Sequence, residues 1–161
     1  MSERLKKILS YIVSILIPLA IGTLSALITM GNMDIYEEIV TPPLAPPGWL
    51  FPVVWSVLYT LMGISAGMVW QKRKEKPKEV DKAISYYALS LAFNFVWSIL
   101  FFNFKLYLVS FAWLIILLVL IVYTIRAYLK ISKISAYLQI PYAVWVAFAG
   151  YLNLAIWFLN R

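Results

Sequence analysis

The chain has 161 residues, of which 63% are hydrophobic and 13% are charged, with a net charge of +7 and a mean hydropathy of +0.85. Soluble globular proteins have roughly 45–50% apolar and about 25% charged residues, so this composition excludes a soluble domain and indicates a polytopic membrane protein. The sequence contains no cysteine and no histidine, which excludes disulfides, thiolate or imidazole metal sites, a Ser-His-Asp triad and histidine-ligated haem.

Five segments are long and apolar enough to cross a membrane as helices, which takes about 20 residues. They cover about residues 8–30, 49–70, 83–102, 106–125 and 134–158, here called the first to fifth spans. The third and fourth spans form one apolar stretch that must turn back, and Asn103 and Lys105 mark the turn. Continuous apolar runs favour helices over barrel strands, whose side chains alternate. The sequence therefore predicts an all-α membrane protein, a single domain over residues 1–161 built as a bundle of five transmembrane helices.

The basic residues indicate how the bundle is oriented. The N-terminal tail, the segment between the second and third spans and the turn after the fourth span hold most of the 14 Lys and Arg residues. These three segments lie on one side of the predicted bundle, so the positive-inside rule predicts a cytoplasmic N-terminus and an outside C-terminus. The long apolar run of the first span and the lack of a cleavage site favour a retained span over a signal peptide. Because the charge is explained by topology, we expect no nucleic acid partner.

The segment between the first and second spans, residues 31–48, is unlike the other connections. It has no Lys or Arg, carries three acidic residues and leads into the proline-rich run TPPLAPPGWLFP. Proline fixes its own φ and biases the preceding residue to extended geometry. The sequence therefore predicts a stiff, non-helical lid on the extracytoplasmic face, which we call the lid loop, rather than a mere spacer.

Chemistry within the spans depends on uncharged groups, because no Asp, Glu, Lys or Arg lies near the middle of any span. Intramembrane ionisable residues mark most proton and ion pathways, so their absence counts against a proton-coupled pump and a retinal protein. Aromatic and polar residues recur instead at helical spacing. The stripes are Trp55 and Tyr59 in the second span, Ser90, Asn94, Trp97 and Phe101 in the third, and Tyr142, Trp145, Ala149, Asn153 and Trp157 in the fifth.

Two interpretations of these stripes remain open. Because an unpartnered Asn is costly in hydrocarbon, we expect Asn94 and Asn153 to face the bundle interior. If the stripes face one cavity, they form a flat-walled pocket for a large planar ligand held by stacking. Alternatively, the rings form interfacial belts and the Asn residues join helices. The belt or packing interpretation is favoured for four of the tryptophans: Trp49, Trp70, Trp113 and Trp157.

Two pairs of small residues could bring helices close together. Gly63 and Gly67 lie four residues apart in the second span, and Ala88 and Ala92 do so in the third. Such small-xxx-small pairs permit close backbone approach. Each pair could form either a dimer face or a contact within the chain.

Three motifs in this order resemble the translocator protein family, known in bacteria as tryptophan-rich sensory proteins: PPLAPPGWLFPVVWSVLY, FNFVWSILFF and PYAVWVAFAGYLN. With the five spans and the proline-rich first loop, the resemblance covers nearly the whole chain. It implies a five-helix bundle, usually dimeric. It also implies a pocket that opens under the first loop and binds porphyrins, sterols and synthetic isoquinoline-type ligands.

The resemblance also implies roles for individual residues. The ligand-binding positions that match the family's motifs are Trp55, Tyr59, Asn94, Trp97, Trp145 and Ala149. The lid positions are Pro42, Pro43, Pro47 and Trp49. We predict no catalytic residue, no metal site and no required cofactor. A porphyrin, as protoporphyrin IX or haem, is the expected ligand, and without His or Cys it would be held by stacking and shape.

Two departures from the family's pattern bear on the ligand. The first loop often carries Lys-Pro in the family, where this chain has Thr41 and Pro42. The cholesterol motif of animal members needs a Tyr after the Leu-Asn pair, whereas Leu154 and Ala155 follow Asn153 here. A tetrapyrrole is therefore preferred over a sterol.

The favoured function is a membrane receptor or carrier that binds porphyrins, with sterols as second candidate ligands, and that has a role in tetrapyrrole transport or stress sensing. The alternative is light- and oxygen-dependent porphyrin degradation that uses pocket tryptophans. A small-solute transporter or a structural partner protein is a third hypothesis. The expected partners are membrane lipid, a porphyrin or sterol-like molecule and a second copy in a homodimer, and the expected location is a prokaryotic cytoplasmic membrane.

Overall fold

Helices form all the regular structure of the described residues. The computed structural model describes residues 2–161, the side chain of Tyr36 excepted, and this part of the chain contains no strand. The helices are α1 Glu3–Thr29, α2 Ile35–Glu38, α3 Leu50–Trp70, α4 Pro77–Ser98, α5 Tyr107–Leu129, α6 Lys133–Leu138 and α7 Ile140–Leu159. Five helical segments are long and apolar enough to cross a membrane: α1, α3, α4, α5 and the pair α6–α7. The predicted all-α, five-span architecture is confirmed.

Several helices run past the apolar segments that define the predicted spans. Helix α1 begins at Glu3 rather than near residue 8, and α4 begins at Pro77 rather than near residue 83. Local chemistry explains both starts. Ser2 caps α1, its Oγ accepting a hydrogen bond from the Leu5 N–H at 3.3 Å, and Pro77 occupies the first turn of α4, where a missing N–H costs nothing. Charged residues therefore extend these helices beyond the hydrophobic segment.

The turn between the third and fourth spans lies where the sequence predicted it. Helix α4 continues as a π-helical turn over Ile99–Asn103, and Lys105 then adopts a left-handed φ of 54°. The Asn103 side chain ties this turn to the end of α1. Its Nδ2 donates to the Ile28 carbonyl at 3.3 Å, and its Oδ1 accepts from Asn32 Nδ2 at 3.1 Å.

Helices α1 and α3 pack closely through the two glycines of the second span. A Cβ at Gly63 would overlap the backbone of Ile15, and one at Gly67 would overlap the ring of Tyr11. This pair is therefore a contact within the chain, which settles the choice that the sequence left open. The other small pair, Ala88 and Ala92, is exposed on α4.

The three basic segments come together at one end of the bundle. Lys6 and Lys7 from α1 share a surface depression with Arg73 and Lys74 from the α3–α4 connection. Lys76 Nζ from the same connection donates to the Lys130 carbonyl after α5 at 2.9 Å. The lid loop, the turn after α4 and the C-terminus lie at the opposite end, where Val40, Asn160 and the Asn103 turn make their contacts.

The lid loop differs in part from its prediction. Its first half is helical, with a 3-10 turn at Met30–Asn32 and the one-turn helix α2, so the expectation of a wholly non-helical loop was wrong there. The half that follows α2 contains the prolines and has no helix before α3, in agreement with the restrictions on proline and its preceding residue. Within the lid loop, helical turns form only in the half that has no proline.

Candidate functional site

A cavity of about 670 Å³ lies between α1 and α3 at the lid end of the bundle. The lid loop and the end of α4 complete its walls. Its size falls within the range of about 300–1,000 Å³ that is usual for small-molecule sites. The lining comprises Gly22, Thr23, Ser25, Ala26 and Thr29 of α1, Met33, Asp34, Glu37, Thr41, Ala45, Pro46, Pro47 and Gly48 of the lid region, Phe51, Pro52, Trp55, Ser56 and Tyr59 of α3, and Trp97, Ser98 and Phe102 from α4 and its π-turn.

Three aromatic rings form the floor of the cavity. Trp55 stacks on Tyr59 with ring centroids 5.4 Å apart and an interplanar angle of 27°. Trp97 lies beside Trp55 with centroids 6.5 Å apart. Tyr59 and Trp97 are only 8% and 7% exposed, so these rings are held by packing and present preorganised faces. Such faces favour offset stacking with another flat ring system.

Helix α1 holds Tyr59 in place from the other side. A Cβ at Gly22 would overlap the Tyr59 ring, so only glycine lets α1 approach this ring so closely. The Tyr59 hydroxyl accepts a hydrogen bond from Asn94 Nδ2 at 2.7 Å. Tyr59 is therefore fixed by α1, by Trp55 and by the third span at once.

A second hydrogen-bonded chain fixes Trp97. Its indole Nε1 donates to Asn153 Oδ1 at 3.1 Å, and Asn153 Nδ2 donates to the Tyr107 carbonyl at 2.6 Å. Asn94 and Asn153 are 2% and 1% exposed, so the prediction that both face the bundle interior is confirmed. Each supports a floor ring from behind.

The predicted ligand-binding residues divide into two groups. Trp55, Tyr59 and Trp97 line the cavity, whereas Asn94, Trp145 and Ala149 lie outside its lining. The expectation that three stripes face one cavity therefore differs from the structure, in which α1 forms the third wall and α7 contributes no lining residue. Helical spacing shows which residues share a face, but it does not show which neighbour that face meets.

Trp145 reaches the cavity wall only through another ring. It packs edge-on against Phe51, with centroids 5.9 Å apart, and Phe51 lines the cavity. Its indole Nε1 is buried and has no hydrogen-bond partner among the described residues. Trp145 thus supports the wall on the side of α7.

The predicted lid residues also occupy different positions. Pro47 lines the cavity, and Pro42 is buried outside its lining. The Pro43 carbonyl accepts a hydrogen bond from the Tyr151 hydroxyl at 2.9 Å. Trp49 is 68% exposed. The lid is also tied to α7 at Val40, whose N–H donates to Asn160 Oδ1 at 2.9 Å and whose carbonyl accepts from Asn160 Nδ2 at 3.0 Å.

Sequence reasoning missed the wall that α1 provides. A signal was present, because Gly22, Ser25, Ala26 and Thr29 recur at steps of three and four in a span that is otherwise strongly apolar. The small and hydroxyl-bearing side chains leave room for a cavity. It also missed Phe102, which follows Trp97 by five residues and lines the same cavity from the π-turn. An ordinary helical repeat does not predict that placement.

The site can bind by stacking, by hydrogen bonding and by charge. Its lining offers ring faces, hydroxyl groups and the two carboxylates of Asp34 and Glu37. Within residues 2–161, no group of three His, Cys, Asp or Glu side chains could hold a metal ion. The arrangement is that of a binding pocket with an aromatic floor.

Comparison with known proteins places these features in a family. The TspO/MBR family model matches residues 14–158. The tryptophan-rich protein TspO of Chlorobaculum tepidum is 34% identical over 96% of this chain and 98% of its own length. The corresponding protein of Archaeoglobus fulgidus is 37% identical over 95% of this chain and 98% of its own length. The translocator protein of Bos taurus is 33% identical over 91% of this chain and 87% of its own length.

Proposed function

The chain belongs to the TspO/MBR family of membrane proteins, and on that premise we propose that it is a membrane receptor or carrier for porphyrins. The ligand would occupy the cavity under the lid loop, and its transport or sensing would be the protein's role. One observation carries the proposal: the stacked faces of Trp55, Tyr59 and Trp97 line a cavity of about 670 Å³. Sterol-like molecules rank below porphyrins as candidate ligands, because a sterol has no flat aromatic face that could stack on these rings.

Porphyrin titration of the purified full-length protein tests the site. We expect Trp55→Leu and Trp97→Leu each to weaken protoporphyrin IX binding roughly two- to tenfold, since one lost ring contact is worth roughly 0.5–1.5 kcal/mol. The porphyrin absorbance band should be followed rather than protein fluorescence, because the substitutions change the number of tryptophans.

Trp70→Leu is the matched control. Trp70 ends the same helix but lies at the basic end of the bundle, where the Arg73 guanidinium sits 4.3 Å from its ring. Its substitution should leave porphyrin affinity unchanged. Equal affinities for the Trp55→Leu, Trp97→Leu and Trp70→Leu proteins would contradict the proposed site.

Substitution of Trp145 tests whether this residue contacts the ligand directly or only supports the cavity wall. Because Trp145 backs Phe51, we expect Trp145→Phe, which keeps a ring against Phe51, to weaken porphyrin binding less than Trp55→Leu does. A larger loss for Trp145→Phe than for Trp55→Leu would mean that the ligand extends to α7.

Photo-oxidation of bound porphyrin is the second candidate function. It is favoured by the oxidisable cluster around Trp55, which has Tyr59, Trp97 and Tyr142 within 5.4–6.5 Å between ring centroids. Under light and oxygen, we expect porphyrin absorbance to fall faster with the protein than in detergent alone, and more slowly with Trp55→Phe. Equal loss with free porphyrin in detergent would reject this activity.

A further inference from the structure

The basic end of the bundle has a depression of its own, at the opposite end from the cavity under the lid loop. Its volume is about 470 Å³. The first turns of α1 and the segment that joins α3 to α4 form its walls. The lining comprises Glu3, Lys6, Lys7 and Ser10 of α1, and Trp70, Gln71, Arg73, Lys74 and Pro77 from the end of α3 to the start of α4. Four of these residues are basic and one is acidic, so the depression favours an anion.

Two of the four cations have no carboxylate partner. Lys6 forms an ion pair with Glu3 at 3.0 Å. Lys7 and Lys74 form no ion pair with any residue that the structure describes. Lys74 is near enough to Glu3 to interact with its charge, but that carboxylate is already bonded to Lys6. The charge of Lys7 and Lys74 thus remains available to a ligand.

Arg73 is held in place at the depression. Its guanidinium lies 4.3 Å from the centroid of the Trp70 ring, and its Nε lies 3.1 Å from the Asp81 carboxylate. A guanidinium presents its N–H donors in a planar fork that matches the oxygens of a phosphate. Because both contacts already restrict this side chain, a phosphate would bind it with a smaller loss of rotamer entropy.

The Ser10 hydroxyl is an independent sign of a ligand. Its Oγ is buried and has no hydrogen-bond partner in the part of the chain that the structure describes. The hydroxyls of Ser56 and Thr124, which also lie within spans, instead donate to the carbonyl four residues earlier. A buried hydroxyl without a partner costs free energy. An oxygen-rich ligand in the depression would supply the acceptor that Ser10 lacks.

The depression passes directly into an apolar surface of α1. Trp70 is the last residue of α3, so the depression lies at the level where a bilayer has its headgroups. From there, Lys6, Ser10, Val13 and Ile17 follow one another along α1 at steps of four, three and four, and therefore share a face. Val13 and Ile17 are 46% and 50% exposed. A cationic site that continues as an exposed apolar stripe matches an amphiphile with an anionic head.

We propose that this depression binds the phosphate of an anionic phospholipid. Lys7 and Lys74 supply the charge, Ser10 supplies a hydrogen bond, and an acyl chain lies along Val13 and Ile17. The apolar stripe favours a lipid over a soluble phosphate, and basic pockets between helices at the cytoplasmic face suit anionic headgroups. The unpaired cations would repel the ammonium group of a zwitterionic lipid. The site is separate from the cavity under the lid loop and does not depend on the proposed function.

Two lipids with the same acyl chains and different headgroups test the proposal. Dioleoylphosphatidylglycerol is anionic, and dioleoylphosphatidylcholine is zwitterionic. Each is used to displace a phosphatidylglycerol with a fluorescent acyl chain from the full-length protein in an uncharged detergent, followed by fluorescence anisotropy. At low salt we expect the anionic lipid to bind roughly fivefold more tightly or better, which is the effect of one basic residue near an anionic headgroup. This preference should shrink as salt is raised.

Variants of the depression separate a site from general attraction to the basic end. Lys7→Gln/Lys74→Gln should abolish the preference for the anionic lipid. Lys78→Gln/Lys133→Gln is the matched control, because it removes the same charge from exposed positions at the same end that do not line the depression. It should keep the preference. All four lysines are exposed, so folding should not suffer.

Ser10→Ala tests the hydrogen bond. It should weaken binding of the anionic lipid roughly two- to tenfold, the effect of one hydrogen bond. The same change should leave the thermal unfolding midpoint of the lipid-free protein no lower, because it removes no hydrogen bond within the chain.

Three results would overturn the proposal. The first is equal binding of the two lipids by the unsubstituted protein. The second is a loss of preference in Lys78→Gln/Lys133→Gln as large as in Lys7→Gln/Lys74→Gln, which would indicate attraction to the whole basic end. The third is displacement of the fluorescent lipid by millimolar inorganic phosphate at constant ionic strength, which would assign the depression to a soluble anion.

Discussion

Gly22 determines how the floor of the cavity is built. Helix α1 is the span with the fewest buried residues, yet at this position it presses against the ring of Tyr59. Any side chain there would overlap that ring. A single missing Cβ thus lets a largely lipid-facing helix serve as one wall of the site.

We expect Gly22→Ala to displace the Tyr59 ring and to weaken both folding and porphyrin binding. Overpacking of this kind costs about 1–3 kcal/mol, which should lower the midpoint of thermal unfolding in detergent by several degrees. Gly31→Ala is the matched control, because a Cβ at Gly31 would meet nothing within 4 Å. If both variants unfold at the same temperature, the close contact of α1 with Tyr59 is refuted.

Asn153 is a second single residue on which the site depends, because its Oδ1 accepts the hydrogen bond of the buried Trp97 indole N–H. We expect Asn153→Ala to lower the free energy of unfolding by about 1–3 kcal/mol, since it leaves a buried donor without a partner. In a Trp97→Phe background the same change should cost less, because that donor is already gone. Additive losses in this double-mutant cycle, measured by denaturant unfolding, would show that the two side chains do not interact.

At the scale of elements, α7 holds the lid. Its residue Tyr151 donates to the Pro43 carbonyl, and Asn160 just beyond its end pairs with both backbone groups of Val40. The proline-rich half of the loop is stiff by itself, but these bonds decide where it lies. The fifth span thus acts on the site through the lid and through Phe51.

Loss of a lid tether should speed exchange of the ligand. We expect Tyr151→Phe to increase the dissociation rate of porphyrin several-fold, since one hydrogen bond contributes about 0.5–1.5 kcal/mol. Stopped-flow absorbance would measure this rate. Tyr137→Phe serves as control, because Tyr137 is an exposed tyrosine on α6. Identical dissociation rates for the two variants would argue against control of exchange by this tether.

At the scale of the whole molecule, charge is divided between the two ends of the bundle. The basic segments meet at one end, through the contact of Lys76 with Lys130 and the cluster of Lys6, Lys7 and Arg73. The acidic lid lies at the other end. The positive-inside rule therefore favours a cytoplasmic basic end and an outside lid.

The absence of cysteine makes this orientation directly measurable. In intact cells we expect a membrane-impermeant maleimide to label Leu44→Cys, an 81% exposed lid position. Lys78→Cys, at the basic end, should be labelled only after the cells are permeabilised. The unsubstituted chain should show no labelling in either case. The reverse pattern would mean that the lid faces the cytoplasm.

Much of the fold follows from local properties of the sequence. Apolar length predicts the five spans, and the cost of an unpartnered amide in hydrocarbon predicts that Asn94 and Asn153 are buried. Helical spacing likewise predicts that Trp55 and Tyr59 share a face. Each of these properties depends on one segment and its solvent, so it can be inferred without knowing which helices are neighbours.

Only the tertiary structure decided what those faces meet. It placed Gly22 against Tyr59, packed Trp145 of α7 against Phe51 instead of into the cavity, and brought Asp34 and Glu37 to the cavity lining. These are contacts between segments far apart in the chain, and they depend on close packing at a few small residues such as Gly22 and Gly63. Periodicity within a helix carries no information about the shape of its neighbour, and for that reason the walls of the site could not be inferred from spacing.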